Sequence, residues 1–314
     1  MKDERPLKDN ELRIRVTSSG ICGTDIHIVK GESRVTLPVI LGHEFGGVVE
    51  DVGDGVNSVR VGDLVGVDPN ISCRVCTYCR EGKPHLCTML TAIGVDIDGG
   101  MSDLCTVPEE QAFRVPQDFD PRELPFLEPL SCVLHGLDRV KTQQGERVLI
   151  IGAGTIGLMF GLLLRDSVGE LRVAEVNPQR LRKALSTGCT VATGNRESEF
   201  DVVIESSGSV DGFESAIKMA KRGGRILVFG VAARHLSASI KPNDIYSKEL
   251  SILGSYVNPH TYSRAIELMS NKRTFLSSLD VKSFRLDDFE TAFEASRSGR
   301  YSKVIFDLQE GAAD

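Results

Sequence analysis

"VLIIGAGTIGLMFGLLL", residues Val148 to Leu164, decides how the rest of the chain is read. It is long and apolar enough to resemble a short membrane span. It also holds Gly152, Gly154 and Gly157 at the spacing G-x-G-x-x-G, between the charged flanks "GER" and "RDS". Read that way, a buried strand ends in a tight turn and opens a helix, with glycines that let backbone approach a pyrophosphate. The surroundings favour this second reading. "LRVAEV" reads as the next strand and ends near Glu175, eighteen residues past Gly157, where an acid can bind adenosine ribose hydroxyls. "NPQRLRKALSTG" follows as a helix, with Asn177 as cap, Pro178 at the first position and Gly188 as the stop. Two more strand-like runs, "DVVIESSG" (Asp201 to Gly208) and "RILVFGV" (Arg225 to Val231), bracket a helix over "SVDGFESAIKMAKRGG". Such alternation indicates a doubly wound parallel sheet. Glu175 would repel a 2′-phosphate and favours NAD over NADP, while Arg172 and Arg180 nearby pull the other way.

Towards the N-terminus the pattern changes. "ELRIRV", "FGGVVEDVG" and "VRVGDLVGV" are short, β-branched runs punctuated by Gly and Asp, which suits a small barrel of antiparallel strands. The shift in composition near residue 130 marks a domain boundary. Within this half, "CRVCTYCREGKPHLC" (Cys73 to Cys87) carries four of the eight cysteines. Cys73, Cys76, Cys79 and Cys87 follow the spacing C-x2-C-x2-C-x7-C, and four thiolates suit a closed tetrahedral zinc site. The lobe around them is polar, so metal ligation would replace a core. An iron–sulfur cluster or a redox dithiol are the competing readings.

"GICGTDIH" and "LGHEFGG" supply three further candidate ligands of mixed type, Cys22, His43 and Glu44. Mixed ligation with fewer than four fixed protein ligands is how catalytic zinc keeps an exchangeable position. His43 and Glu44 are adjacent and would face opposite sides of a regular strand. An irregular turn permitted by Gly42, Gly46 and Gly47 is therefore required. The alternative is a buried thiol beside a solvated His–Glu pair. Glu128, in the apolar run "FLEPLSCVLHGL", needs either a metal or a partner, or else is simply an acid at a helix start.

Net charge is −7 and there is no long Lys/Arg run, which argues against nucleic acid or an anionic membrane as partner. The N-terminus is charged and lacks an apolar signal core, so a cytoplasmic protein without structural disulfides is expected.

Taken together, "GICGTDIH", "GHEFGGVVEDVG", "VGDLVGVDPN", the four-cysteine lobe, "EPL", "GAGTIG" and "KELSILGSY" resemble the zinc-dependent medium-chain dehydrogenase/reductase family, and within it the polyol dehydrogenase branch. The resemblance covers nearly the whole chain. It implies an α/β two-domain protein. Residues 1–130 and 259–314 would form a GroES-like β-barrel catalytic domain with a structural zinc lobe at about 72–88. Residues 131–258 would form a Rossmann domain. It implies catalytic zinc at Cys22, His43 and Glu44, with Glu128 as a further carboxylate bound directly or through water. Thr24 and His27 match the residues that pass the alcohol proton to solvent. Glu175 and Arg180 match ribose contacts, and the rest of the cofactor surface is expected from Gly152, Gly154, Thr155, Ile156, Gly157, Ser206, Gly230, Val231, Ser255 and Tyr256. Two zinc ions per chain, NAD, a small polyol substrate and a homodimer or homotetramer follow from the same likeness. Where sorbitol-type enzymes often have an arginine after the Ser-aromatic pair, this chain has Val257 and Asn258. The chain also begins near the family's second strand, so an open sheet edge is expected, and Asn195–Phe200 leaves a short crossover without a helix. A nucleotide-binding homologue without turnover, or a threonine- or butanediol-type dehydrogenase, are the alternative readings.

Overall fold

The computed structural model describes residues 5–32, 35–192, 197–271 and 279–309. The chain divides into two compact units, one holding Met1–Ser131 and returning from Val257, the other holding Cys132–Tyr256.

The first unit is built on β1 (Glu11–Gly20), followed by α1 (Gly23–Val29), β2 (Glu44–Val52), β3 (Leu64–Val67), β4 (Asn70–Ile71), α2 (Thr77–Arg80), β5 (Thr91–Ala92), β6 (Leu104–Pro108) and β7 (Ala112–Arg114). Strand β1 lies along β2 on one side. On the other it meets β6 over residues 11–15 and the C-terminal strand over residues 18–20, so it is not an open edge. Its alternate side chains Leu12, Ile14 and Val16 are buried with Phe45, Val49, Val65, Val67 and Val107, the inward half of a period-2 pattern.

Glu11 shows how the start of β1 is held. Its carboxylate accepts from Arg5 Nη1 at 2.7 Å, Lys8 Nζ at 3.0 Å and Lys8 N at 3.1 Å. The Arg5 hydrogen bond leads in drawing it from 4.5 down to about 2, against the opposing effect of burial. A carboxyl lowered in the folded state contributes stability above its unfolded pKa and loses it as pH falls through the folded one. Arg5 and Lys8 are largely solvated, so the contribution is discounted to about 1–2 kcal/mol. Glu11→Gln should cost that much at neutral pH and flatten the fall in melting temperature between pH 4.5 and 2.

The second unit begins within α3 (Leu127–Val140) and continues through β8 (Arg147–Ile151), α4 (Thr155–Leu164), β9 (Glu170–Ala174), α5 (Pro178–Ser186), β10 (Thr190–Val191), β11 (Phe200–Glu205), α6 (Val210–Met219), β12 (Ala220–Val228), α7 (Pro242–Lys248) and β13 (Ser251–Gly254). The stretch Val148–Leu164 is thus strand, turn and helix. No described helix is long and apolar enough to cross a membrane. Helix α5 starts where its composition requires: Asn177 accepts from the N–H groups of Gln179 and Arg180, Pro178 is the first helical residue, and Gly188 adopts φ +97° beyond the end. All six strands run parallel in the order β10-β9-β8-β11-β12-β13, the Rossmann order 3-2-1-4-5-6.

Several expected boundaries move. The strand expected up to Gly208 stops at Glu205, because the N–H groups of Ser207 and Gly208 turn onto the Glu205 carboxylate. The helix expected up to Gly224 stops at Met219, because Ala220 already pairs with Phe200 as the first residue of β12. The strand expected up to Val231 stops at Val228, because Phe229 and Gly230 turn their N–H groups onto the Glu205 carbonyl at 2.9 and 2.8 Å. The crossover read over Asn195–Phe200 lies partly outside the described residues.

The chain then re-enters the first unit through α8 (Tyr262–Asn271), β14 (Val281–Phe284), α9 (Phe289–Arg297) and β15 (Lys303–Asp307). Strand β15 is parallel to β14 and antiparallel to β1, completing the seven-stranded sheet. Ile305 and Glu44 therefore stand on either side of Gly20 in one row across β15, β1 and β2.

Candidate functional site

Local geometry gathers the four lobe thiols. Cys76 and Cys79 lie 3.6 Å apart, Cys73 and Cys79 4.0 Å apart, and all four sulfurs fall within 4.8 Å of one another. Four sulfurs on one tetrahedral ion at about 2.3 Å would be about 3.8 Å apart. Backbone N–H groups already point at them: Cys73 and Met89 donate to Cys87 Sγ at 3.2 and 3.3 Å, and Cys76 donates to Cys73 Sγ at 3.4 Å. Backbone donation from Cys79 leads in drawing the Cys76 thiol down to about 6, while burial pushes Cys79 up to about 11. The donor set fits one zinc ion.

The mixed group is assembled from two turns. Cys22 caps α1, and Asp25 closes a capping box by accepting from Cys22 N at 2.8 Å. The other Asp25 oxygen faces His43 Nδ1 at 3.5 Å. His43 follows Gly42, whose φ of +101° breaks the strand geometry that would have set His43 and Glu44 on opposite faces. A Cβ at Gly42 would also lie 2.7 Å from Met101 N. The ligand atoms of Cys22, His43 and Glu44 consequently lie within 4.8 Å of one another. Burial works against the His43 imidazolium, but the charges of Asp25 and Cys22 outweigh it and hold His43 well above its ordinary value.

Glu128 does not join this group among the described residues. It sits in the first turn of α3, 8% exposed. After burial and the charge of Asp68, its own charge helps raise the Tyr262 phenol well above the ordinary value. Thr24 Oγ1 lies 3.9 Å from Cys22 Sγ. His27, one turn further along α1 and 38% exposed, bonds Glu32 Oε2 through Nδ1 at 2.5 Å. Asn258 is buried and structural: it donates to Ser131 Oγ at 2.8 Å and accepts from Asn70 at 2.7 Å.

Two groups were not found by reading the sequence. Asp25 could have been, since an acid three residues after a helix cap is a capping-box signature. Lys303 had only the weak signal of a cation opening the apolar run "KVIF". It comes from β15 and pairs through Nζ with Glu44 Oε2, the two side chains 4% and 2% exposed. Burial opposes its charge, but Glu44 and Cys22 hold its pKa above the ordinary lysine value. Gly20 makes room for the pair, because a Cβ there would stand 2.7 Å from Glu44 Oε2 and 2.9 Å from Lys303 Cε.

In the second unit the expected cofactor residues collect at the C-terminal ends of the central strands, where the strand order reverses. Gly152 has φ +95°, and a Cβ on Gly157 would meet Gly152 O at 2.0 Å, so the helix can touch the turn only with glycine at 157. Gly154 caps α4 and faces open space, with Thr155 and Ile156 in the first turn. Glu175 accepts from Ala153 N at 2.7 Å and Asn177 N at 2.8 Å, joining the fingerprint turn to the α5 cap. Arg180 lies in the first turn of α5. Ser206 Oγ donates to the carbonyls of Ile151 and Gly152 at 3.0 and 3.1 Å. Gly230 packs against Gly208, Ser255 N donates to Val228 O at 3.1 Å, and Val231 and Tyr256 are exposed.

These two sites can be set beside known proteins. The family profile "Alcohol dehydrogenase GroES-like domain" matches residues 8–117, and "Zinc-binding dehydrogenase" matches residues 155–271. D-arabinitol dehydrogenase 1 of Uromyces fabae is 28% identical, over 97% of this chain and 92% of its own. L-threonine 3-dehydrogenase of Bacillus subtilis strain 168 is 32% identical, over 95% and 91%. A Sinorhizobium meliloti protein assigned as a zinc-binding dehydrogenase, solved bound to NADP, superposes with a TM-score of 0.89 at 32% identity, covering 96% of this chain and 93% of its own. The order of the two profiles along the chain, the full-length relatives and the paired GroES-like and Rossmann units have one explanation: the chain belongs to the zinc-binding alcohol dehydrogenase family of NAD(P)-linked oxidoreductases.

Proposed function

We propose that this oxidoreductase converts a secondary alcohol of a polyol to a ketone, reversibly, with NAD as the hydride acceptor. The observation that carries the reading is the convergence of Cys22, His43 and Glu44 ligand atoms within 4.8 Å, beside a threonine hydroxyl. When bound there, zinc would supply a Lewis acid that lowers the pKa of the alcohol, and NAD on the glycine turn would supply the hydride acceptor. Three protein ligands leave the remaining position to substrate. Thr24 accepts the hydroxyl proton. His27 carries it outward, with Glu32 orienting the ring through Nδ1. Asp25 holds His43 in position as a ligand. NAD is preferred to NADP on the carboxylate of Glu175, and because the Arg172 guanidinium is already engaged by Glu170 and by the Val191 carbonyl at 3.3 Å. The arabinitol dehydrogenase relative supports a polyol, and the threonine dehydrogenase relative supports a β-hydroxy amino acid as the second reading.

The test is reduction of NAD and of NADP by a panel of pentitols, hexitols, 2,3-butanediol and L-threonine, with metal content measured alongside. Two zinc ions per chain and a polyol preference are expected, and Cys22→Ser should lower kcat/KM by about 10³-fold. Full activity after complete zinc removal would exclude the metal's role. Absence of turnover on every substrate with both metals present would favour the homologue without activity.

A further inference from the structure

Glu205 ends β11 in the middle of the parallel sheet and is 1% exposed. It bonds two different loops. Its backbone carbonyl accepts from Phe229 N at 2.9 Å and Gly230 N at 2.8 Å, in the loop after β12. Its carboxylate Oε1 accepts from Ser207 N at 2.8 Å, Gly208 N at 3.1 Å and the Ser207 hydroxyl, in the loop after β11. An ionised carboxylate only accepts, and three donors converging on one of its oxygens form a charge-assisted set.

The loops also touch directly, and only glycine allows it. A Cβ on Gly230 would lie 2.2 Å from Gly208 N, and one on Gly208, which has φ +67°, would lie 2.7 Å from Val231 O. The slot for the carboxylate is likewise defined by glycine: a Cβ on Gly212 would meet Oε1 at 2.9 Å, and one on Gly230 would meet Oε2 at 2.9 Å. The next residue, Ser206, ties the same loop to the fingerprint turn through the carbonyls of Ile151 and Gly152.

We propose that Glu205 is a positioning residue for the dinucleotide. Without touching the cofactor, its carboxylate fixes the loop after β11 against the loop after β12 that its own backbone carbonyl holds, beside the glycine turn. Ser206, Gly230 and Val231 are thereby presented as a preformed surface, so little ordering remains to be done on binding. The inference rests on the cofactor reading above but not on the identity of the alcohol.

Its test is direct titration of the full chain with NADH, followed by fluorescence, so that it stays interpretable if no polyol is oxidised. Glu205→Gln keeps the shape and removes the charge. The dissociation constant for NADH should rise about tenfold, the difference between a charge-assisted and a neutral set. The KM for the alcohol and kcat at saturating cofactor should stay within about twofold. Ser207→Ala, on a solvated turn, removes one donor and should raise the constant about threefold. Ile217→Val, a buried change on α6 away from the loops, serves as the control for lost stability and should leave NADH binding unchanged. Wild-type NADH affinity in Glu205→Gln, or in Ser207→Ala if the first variant does not fold, overturns the proposal. So does an equal loss of affinity in Ile217→Val.

Discussion

Lys303→Met is expected to destabilise the zinc-free protein by about 3–5 kcal/mol, the cost of leaving a buried carboxylate without its counter-charge. The pair is enclosed, with Lys303 and Glu44 side chains 4% and 2% exposed, and solvent cannot take over for the missing ammonium. Removing both charges should be far milder than removing one. The Glu44→Gln/Lys303→Met double variant should therefore recover much of the loss in a urea-unfolding cycle. The pH dependence has a definite sign. A lysine raised in the folded state contributes stability that is complete below its unfolded pKa of 10.5 and declines as pH rises through the higher folded value. The wild type should thus lose stability steeply above pH 10.5, and Lys303→Met should show a flatter alkaline limb. Gly20→Ala probes the same contact with every charge kept, because the added methyl would press on Glu44 Oε2, Lys303 Cε and, at 3.2 Å, Pro125 Cβ. Zinc bound at the Cys22 group would give the lone carboxylate of Lys303→Met a cation, so added zinc should stabilise that variant more than the wild type. A Lys303→Met protein within about 1 kcal/mol of the wild type would show that the pair is not a closed one.

The second large effect is expected at the lobe. Cys87→Ser should reduce zinc from two to one per chain, whereas chelation strong enough to strip the tetrad should leave none, and either should open the segment between Cys73 and Cys87 to protease. None of the residues in α2 or in the short helical turn Pro84–Leu86 is buried, so the segment has almost no apolar core to fall back on. In small metal-held domains the bound ion supplies about 10 kcal/mol at neutral pH. Protons compete for the same sulfurs. With Cys76 drawn down to about 6 and Cys79 pushed up to about 11, metal retention should weaken as pH falls, and a titration with a zinc indicator would follow it. An unchanged proteolytic pattern in metal-free protein would show that the lobe holds its shape by packing alone.

Some of this protein was written along the chain. The thiol tetrad spans fifteen residues, and its C-x2-C turns bring sulfurs together with little help from the rest of the molecule. The glycine fingerprint, the Asn177 cap and the strand–helix alternation were equally legible, because each depends on backbone conformation over a few residues. The family resemblance added the grouping of Cys22, His43 and Glu44, and the Gly42 turn is what makes adjacent residues converge. Tertiary structure alone decided the rest. Glu44 and Lys303 are 259 residues apart and meet because β15 and β2 flank β1 in a register that puts side-chain-free Gly20 between them. Glu205 was one more residue inside the strand-like run Asp201 to Gly208 until the strand ended there and strand order set two loops around it, and Glu128 sits in a buried helix turn, where its charge bears on Tyr262. Periodicity says which face of a strand is buried. It does not say which strand lies alongside or at what register, and buried charges find their partners through those two choices.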